Sequence, residues 1–188
     1  ISKVRQVRHH PALPYEEAPA FMRLLRERGG ISAFALEFCI LTAARSGEVR
    51  HATWNEIDQD AGLWIVPADR MKARREHRVP LSKRALEVLE SVGRHRGSPL
   101  IFPGIGFKPL SDMTLSAVLK RMNLSQFTVH GFRSTFRDWA AETTPYPNEV
   151  VEMALAHTIA NKAEAAYRRG DLLQKRRQLM DDWADYLG

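Results

Sequence analysis

Cysteine is nearly missing: Cys39 stands alone among 188 residues. An internal disulfide is therefore impossible, and without a CxxC pair the commonest zinc-ligand spacing is excluded. Long apolar runs are missing as well. The longest, Phe34 to Ala44, is short and broken by Glu37, well under the roughly 20 residues a membrane-spanning helix needs. No basic, apolar, small-residue leader opens the chain, so nothing points to secretion. There is no internal repeat and no low-complexity tract.

Several chemical signatures are absent too. Gly104-Ile105-Gly106 lacks the third glycine, the preceding strand and the following helix that a dinucleotide site requires, and reads as loop. No GxxxxGK[ST] loop is present to cradle nucleotide phosphates. The seven histidines include no HExxH arrangement, and His9-His10 falls in an N-terminal stretch of low expected order. A GxSxG elbow for serine hydrolysis is missing. No metal and no cofactor is expected.

What remains is ordinary globular material with a basic bias. Hydrophobic residues make up 44% and charged residues 27% of the chain, and the 28 Lys and Arg exceed the 22 Asp and Glu by six. At roughly 150 residues per domain the length suits one domain with a sizeable core. The positive surplus favours a polyanionic partner, a property ordinary basic proteins share.

Apolar spacing predicts helices at Tyr15 to Arg28, at Ala33 to Ala44 with Ser32 as its cap, and briefly around Gly47 to Trp54. Leu63 to Pro67 and His77 to Leu81 read as an antiparallel hairpin, and Ser82 as the cap of another amphipathic helix. Gly and Pro crowd His95 to Leu110, which reads as a long surface connection rather than a domain boundary. Beyond it the pattern is helical: Ser111 to Met122, Gly131 to Thr143, Asn148 to Ala156, Lys162 to Arg169 and Leu172 to Leu187. The fold class expected is mainly α with a small antiparallel β-sheet (α+β). Residues 1–13 read as a linker or tail and 14–188 as the single domain.

Four groups of residues carry possible chemistry, each beside a plainer reading. The segment Ala68 to Arg78 holds five cations, Arg70, Lys72, Arg74, Arg75 and Arg78, against two acids. On a hairpin tip they could reach a phosphate backbone, or simply be a solvated end. Arg45 follows an apolar helix and needs an acceptor at the core boundary, which Glu48 can supply one turn on. That pair could be purely structural. His130 and Arg133 share a helix face, a turn apart, and could converge on an anion, or be a helix-start histidine and an exposed arginine. Tyr167 lies ten residues after His157 and directly before Arg168 and Arg169. A phenol of pKa about 10 needs such positive charge to act as a nucleophile near neutrality. A partly buried aromatic anchor is the alternative.

Taken in order, Arg45, Lys72, His130, Arg133, His157 and Tyr167 resemble the catalytic domain of tyrosine site-specific recombinases of the phage-integrase type, from about Pro14 to Leu187. The specific likeness lies in Arg45-Ser46-Gly47-Glu48, in Met71-Lys72 with His77-Arg78-Val79-Pro80-Leu81-Ser82, and in His130-Gly131-Phe132-Arg133. The chain departs from that pattern at Ala43 and Ala156, where the family often has Gly, and at Ser134, where it often has His.

The resemblance implies the integrase catalytic-domain fold and DNA recombination by transesterification. In that scheme Tyr167 attacks a scissile phosphate, forming a 3′-phosphotyrosyl link and freeing a 5′-hydroxyl. Arg45 and Arg133 steady the phosphate, Lys72 protonates the leaving oxygen, and His130 assists proton transfer at the tyrosine. His157 bonds the phosphate and Glu48 supports Arg45. Arg70, Arg74, Arg75, Arg78, Arg168 and Arg169 would touch DNA. The partners implied are double-stranded attachment sites, copies of the chain in a tetramer on DNA (a monomer without it), and host or phage bending or directionality factors. A bacterial cytoplasmic, nucleoid-associated location follows, and the family's separate N-terminal DNA-binding domains are not in the sequence. A type IB topoisomerase-like nicking-closing enzyme, a catalytically inert helical DNA-binding module and a purely structural helical domain are the rival readings.

Overall fold

The structure is a computed structural model that describes residues 11–157 and 170–188. Helix α1 (Ala18–Arg28) follows a single 3-10 turn at Tyr15–Glu17, has Pro19 in its first turn, and stops at Gly29. Gly29 and Gly30 both have positive φ, which turns the chain directly into α2 (Ile31–Leu41). Gly30, not Ser32, is therefore the N-cap, and Ser32 lies inside the first turn. From Ala35 to Leu41 every side chain of α2 is buried, and α1, short α3 (Ser46–Arg50), α4 (Lys83–Val92), α5 (Thr114–Arg121) and the C-terminal helix pack around it.

The one charged residue within this apolar helix, Glu37, is 1% exposed. Its Oε1 accepts from Arg26 Nε at 2.7 Å and from Arg84 Nε at 2.8 Å. A carboxylate so deep needs such partners, because an unpaired buried charge costs several kcal/mol.

The small sheet has three antiparallel strands in the order β1 (Ile57–Asp58), β2 (Leu63–Val66), β3 (His77–Pro80). Trp64 pairs with Val79 on one side and Ile57 on the other. Its indole donates to Glu56 at 2.8 Å, and its ring packs 5.4 Å from Phe38. The expected hairpin is present, with β1 as an additional short strand. Ser82 caps α4 as expected, accepting from the Ala85 amide at 3.3 Å.

The segment His95 to Leu110 is not a surface connection throughout. Leu100, Ile101 and Phe102 are buried in the core, and the Ile101 amide donates to Ala52 at 2.9 Å. Beyond it lie α5, α6 (Gly131–Thr143), α7 (Asn148–Ala154) and α8 (Leu173–Leu187). Helix α8 packs in cis: Leu179, Met180, Trp183 and Leu187 are buried, and the Trp183 indole donates to Ile40 at 3.0 Å. The expected helix Lys162 to Arg169 lies outside the described residues. At the other end, Pro11 to Leu13 are docked on α6 rather than trailing: Leu13 is buried and its carbonyl accepts from Thr135 Oγ1 at 2.6 Å.

Candidate active site

Two helix ends and one helix start meet on one side of the fold. Helix α2 ends in a turn in which the Ala43 amide bonds Ile40 O and the Ala44 amide bonds Cys39 O, both at 3.2 Å. Helix α7 ends in the same way, with Ala156 bonded to Met153 O at 3.1 Å and His157 to Glu152 O at 2.9 Å. These are paired 5→2 and 6→1 bonds around a left-handed residue, an arrangement that favours Gly at that position. Here the left-handed residues are alanines, Ala43 and Ala156, each at φ 49°. They are the two positions where the phage-integrase pattern often has Gly. A Cβ in that region costs about 1–2 kcal/mol, so both turns carry strain that the surrounding contacts hold in place.

The first turn delivers Arg45 in extended conformation at the start of α3. Glu48 reaches back to it twice: Oε2 accepts from the Arg45 amide at 3.1 Å and Oε1 from Nη1 at 2.9 Å. Glu48 is buried and Arg45 half-buried, so the carboxylate fixes the guanidinium at the boundary of the core. The second turn delivers His157, whose Nε2 lies 3.2 Å from Arg133 Nη2 and whose Nδ1 lies 2.8 Å from Glu152 Oε2.

Arg133 joins the two turns. Its Nη1 donates to Ala43 O, and its Nη2 donates to Leu155 O at 2.5 Å as well as facing His157. The side chain is 5% exposed, and Nε has no acceptor among the described residues. Burial, followed by the positive charge of Arg45, holds the Arg133 pKa down at about 10, with Glu48 working in the other direction. Two neighbouring cations, one desolvated and carrying an unmatched N–H, form a site suited to an anion.

The motif His130-Gly131-Phe132-Arg133 can be explained position by position. Thr128 Oγ1 caps the amide of Gly131 at 2.9 Å. A Cβ on Gly131 would stand 2.2 Å from Pro11 O, so only Gly allows the entering chain to cross here. Phe132 packs 5.0 Å from Phe21, and Arg133 turns into the core. His130 is exposed at the helix start.

Lys72 is exposed on the tip between β2 and β3 and joins none of the bonds just described; Arg74 and Arg75 beside it are exposed as well. Arg70 and Arg78 differ from those three. Arg70 is bonded to Glu56 and to the Glu48 carbonyl. Arg78 donates to Asp171 Oδ2 through Nε at 2.9 Å and Nη2 at 2.7 Å. Both hold the hairpin base against the domain, and their charge is already matched by a protein carboxylate. Buried Arg176 completes the second pair, reaching Asp171 Oδ2 at 2.9 Å. Tyr167, Arg168 and Arg169 lie outside the described residues.

Thus Arg45, Glu48, Arg133 and His157 are brought together, while Lys72 and His130 are exposed. The sequence reading passed over Glu152, and it named His77 in the hairpin motif without giving it a role. Half-buried His77, the first residue of β3, hydrogen-bonds the backbone of Ala154. Burial first, then the charge of Arg176, pushes its pKa down to about 4; Arg45 adds to that, and Glu48 opposes it. The imidazole is neutral at pH 7 and braces the hairpin against α7.

Residues 12–172 match the Phage integrase family. The chain is 36% identical over 203 residues to the integrase of Enterobacteria phage P4, and 37% identical over 186 residues to prophage integrase IntA of Escherichia coli K12. These alignments cover 97% and 96% of the chain but 46% and 45% of the two relatives, so it spans about half their length. In three dimensions it resembles a lambda integrase(75-356) dimer bound to a COC′ core site, with TM-score 0.63 and 19% identity over 84% of this chain and 61% of that one. It also resembles the XerH site-specific recombinase bound to difH, with TM-score 0.62 and 16% identity over 88% and 56%. By the extent of the family match and the identity to the two phage and prophage integrases, the chain belongs to the phage integrase family.

Proposed function

We propose that this domain cleaves and rejoins DNA strands in site-specific recombination, as the catalytic part of an integrase of a prophage or genomic island. The observation that carries the reading is the convergence of Arg45, Arg133 and His157 on one side of the fold, with a buried guanidinium N–H that has no acceptor among the described residues. Phosphoryl transfer of this kind needs positioning and charge stabilisation more than any covalent help. Planar guanidinium forks supply both, because they match phosphate oxygens bidentately.

In the proposed mechanism the Tyr167 oxygen attacks the scissile phosphorus, forming a 3′-phosphotyrosyl bond and breaking the bond to the 5′-oxygen. Arg45 and Arg133 stabilise the charge on the non-bridging oxygens, and His157 bonds one of them. Lys72, on its exposed tip, gives its proton to the departing 5′-oxygen, and His130 takes up the phenol proton. Attack by another 5′-hydroxyl reverses the step, so bond energy is conserved and no nucleotide is consumed. Double-stranded attachment sites are the substrate, copies of the chain assemble as a tetramer on paired sites, and the work is done in the bacterial cytoplasm. DNA-bending or directionality factors belong to the same proposal, as do contacts from Arg74, Arg75, Arg168 and Arg169 to the DNA backbone.

A nicked duplex carrying the attachment site tests this, because loss of the short fragment beyond the nick prevents religation. The native protein is expected to become covalently attached to the DNA, and Tyr167→Phe to form no adduct. An adduct that survives Tyr167→Phe would refute the nucleophile. A 5′-bridging sulfur, whose departure needs no proton, should restore cleavage to Lys72→Ala; no rescue would refute its role as the acid.

A further inference from the structure

His157 is held from two sides, and the two partners together fix its protonation. A guanidinium has no acceptor, so the 3.2 Å contact to Arg133 Nη2 requires a lone pair on Nε2. A carboxylate has no donor, so the 2.8 Å contact to Glu152 Oε2 requires the proton on Nδ1. Glu152 is itself anchored, with Oε1 in an ion pair with Arg137 Nε at 3.0 Å. Arg133 and Arg137 are four apart on α6, so one helix face lays both arginines against the end of α7. One fixes the Leu155 carbonyl; the other holds the carboxylate that holds the imidazole.

We infer that Glu152 is a positioning residue for His157, locking its ring as the Nδ1–H tautomer with Nε2 turned towards Arg133 and the phosphate position. The inference rests on the recombinase reading for its purpose, and on the two contacts for its geometry. A carboxylate behind a histidine whose other nitrogen faces the reaction is a recurrent way to fix ring orientation. To donate to a phosphate oxygen the ring must carry a proton on both nitrogens, and the Nδ1–H bond to Glu152 is compatible with that form as well. Gln at this position could still accept from Nδ1–H through its amide oxygen, whereas Ala could not.

The test has two parts. In the DNA-free protein, nitrogen-15 spectra of the histidine rings are expected to show His157 as the Nδ1–H tautomer, retained in Glu152→Gln and lost in Glu152→Ala. In covalent capture on the nicked duplex, Glu152→Ala is expected to slow adduct formation about tenfold, the lower end of what such supporting partners contribute. Glu152→Gln should recover most of that rate, and Glu152→Ala should add nothing in a His157→Ala background. An unchanged tautomer in Glu152→Ala, or an equal loss of rate with and without His157, would overturn the inference. If the native protein forms no adduct at all, the recombinase reading fails while the ring spectra still decide the positioning role.

Discussion

The turns after α2 and α7 are built alike and situated differently. Each closes with the same pair of backbone bonds around an alanine at φ 49°, and each gives a carbonyl to Arg133. The first is sealed: Ala43 is buried, the Cys39 thiol donates to Ala44 O at 3.3 Å, and Glu48 grips Arg45 twice. The second lies at the edge, with Ala156 half-buried and His157 exposed. One device thus presents both a fixed cation and a more accessible imidazole. Arg133 bonds a carbonyl of each, so the geometry of the proposed phosphate cradle depends on Arg133 before any ligand arrives.

Removing that link should have the largest effect. Arg133→Ala deletes charge-assisted bonds to two turns, each worth about 1.5–3 kcal/mol, and is expected to destabilise the domain by at least about 3 kcal/mol in urea unfolding. It should also lower covalent capture by about 10²–10³, the usual loss for one such donor. A variant with native stability would mean the turns do not depend on each other through Arg133.

The second link between the regions is His77, which bonds Ala154 and lies within the fields of Arg176, Arg45 and Glu48. Its folded pKa of about 4 is below the usual 6.5, so the unfolded chain binds the extra proton more readily. The contribution is therefore intact above pH 6.5 and lost as pH falls towards 4, by at most about 3 kcal/mol. His77→Gln should flatten the slope of stability against pH in that window. An unchanged slope would assign it to other groups.

The smallest effects separate the turns themselves. Ala156→Gly relieves left-handed strain at a half-buried site and should raise stability by about 1 kcal/mol or slightly less. Ala43→Gly gains the same relief but exchanges it for a lost buried methyl, worth about 0.8 kcal/mol, and should be close to neutral. Equal gains at both positions would show that burial does not distinguish them.

Much of this framework could be read from the sequence, and the failures have physical causes. Helix α6 begins and ends where its pattern predicts, because Thr128, Gly131 and the apolar spacing of Phe132, Phe136 and Trp139 all agree. The Arg45–Glu48 pair is also visible, since a spacing of three joins neighbours on a helix. The trio Leu100-Ile101-Phe102 was masked by the surrounding Gly and Pro, although its own composition is that of a core segment. Arg133 was recognisable as a candidate, but its partners are backbone carbonyls, which leave no trace in side-chain patterns. Glu152 and His157 are five apart, a spacing that does not meet on a helix; they meet only because left-handed Ala156 folds the chain back. Strand β1, two residues long, carries too little alternation to be seen.

The central claim is that this cluster steadies a DNA phosphate while one phenol attacks it, and the most direct measurement is to digest the trapped adduct and locate the nucleotide by mass spectrometry. The account predicts a single modified peptide bearing a 3′-phosphodeoxynucleotide on Tyr167, strongly diminished in Arg133→Ala. A nucleotide carried by Tyr15, Tyr146 or Tyr186, or the same yield without Arg133, would contradict it.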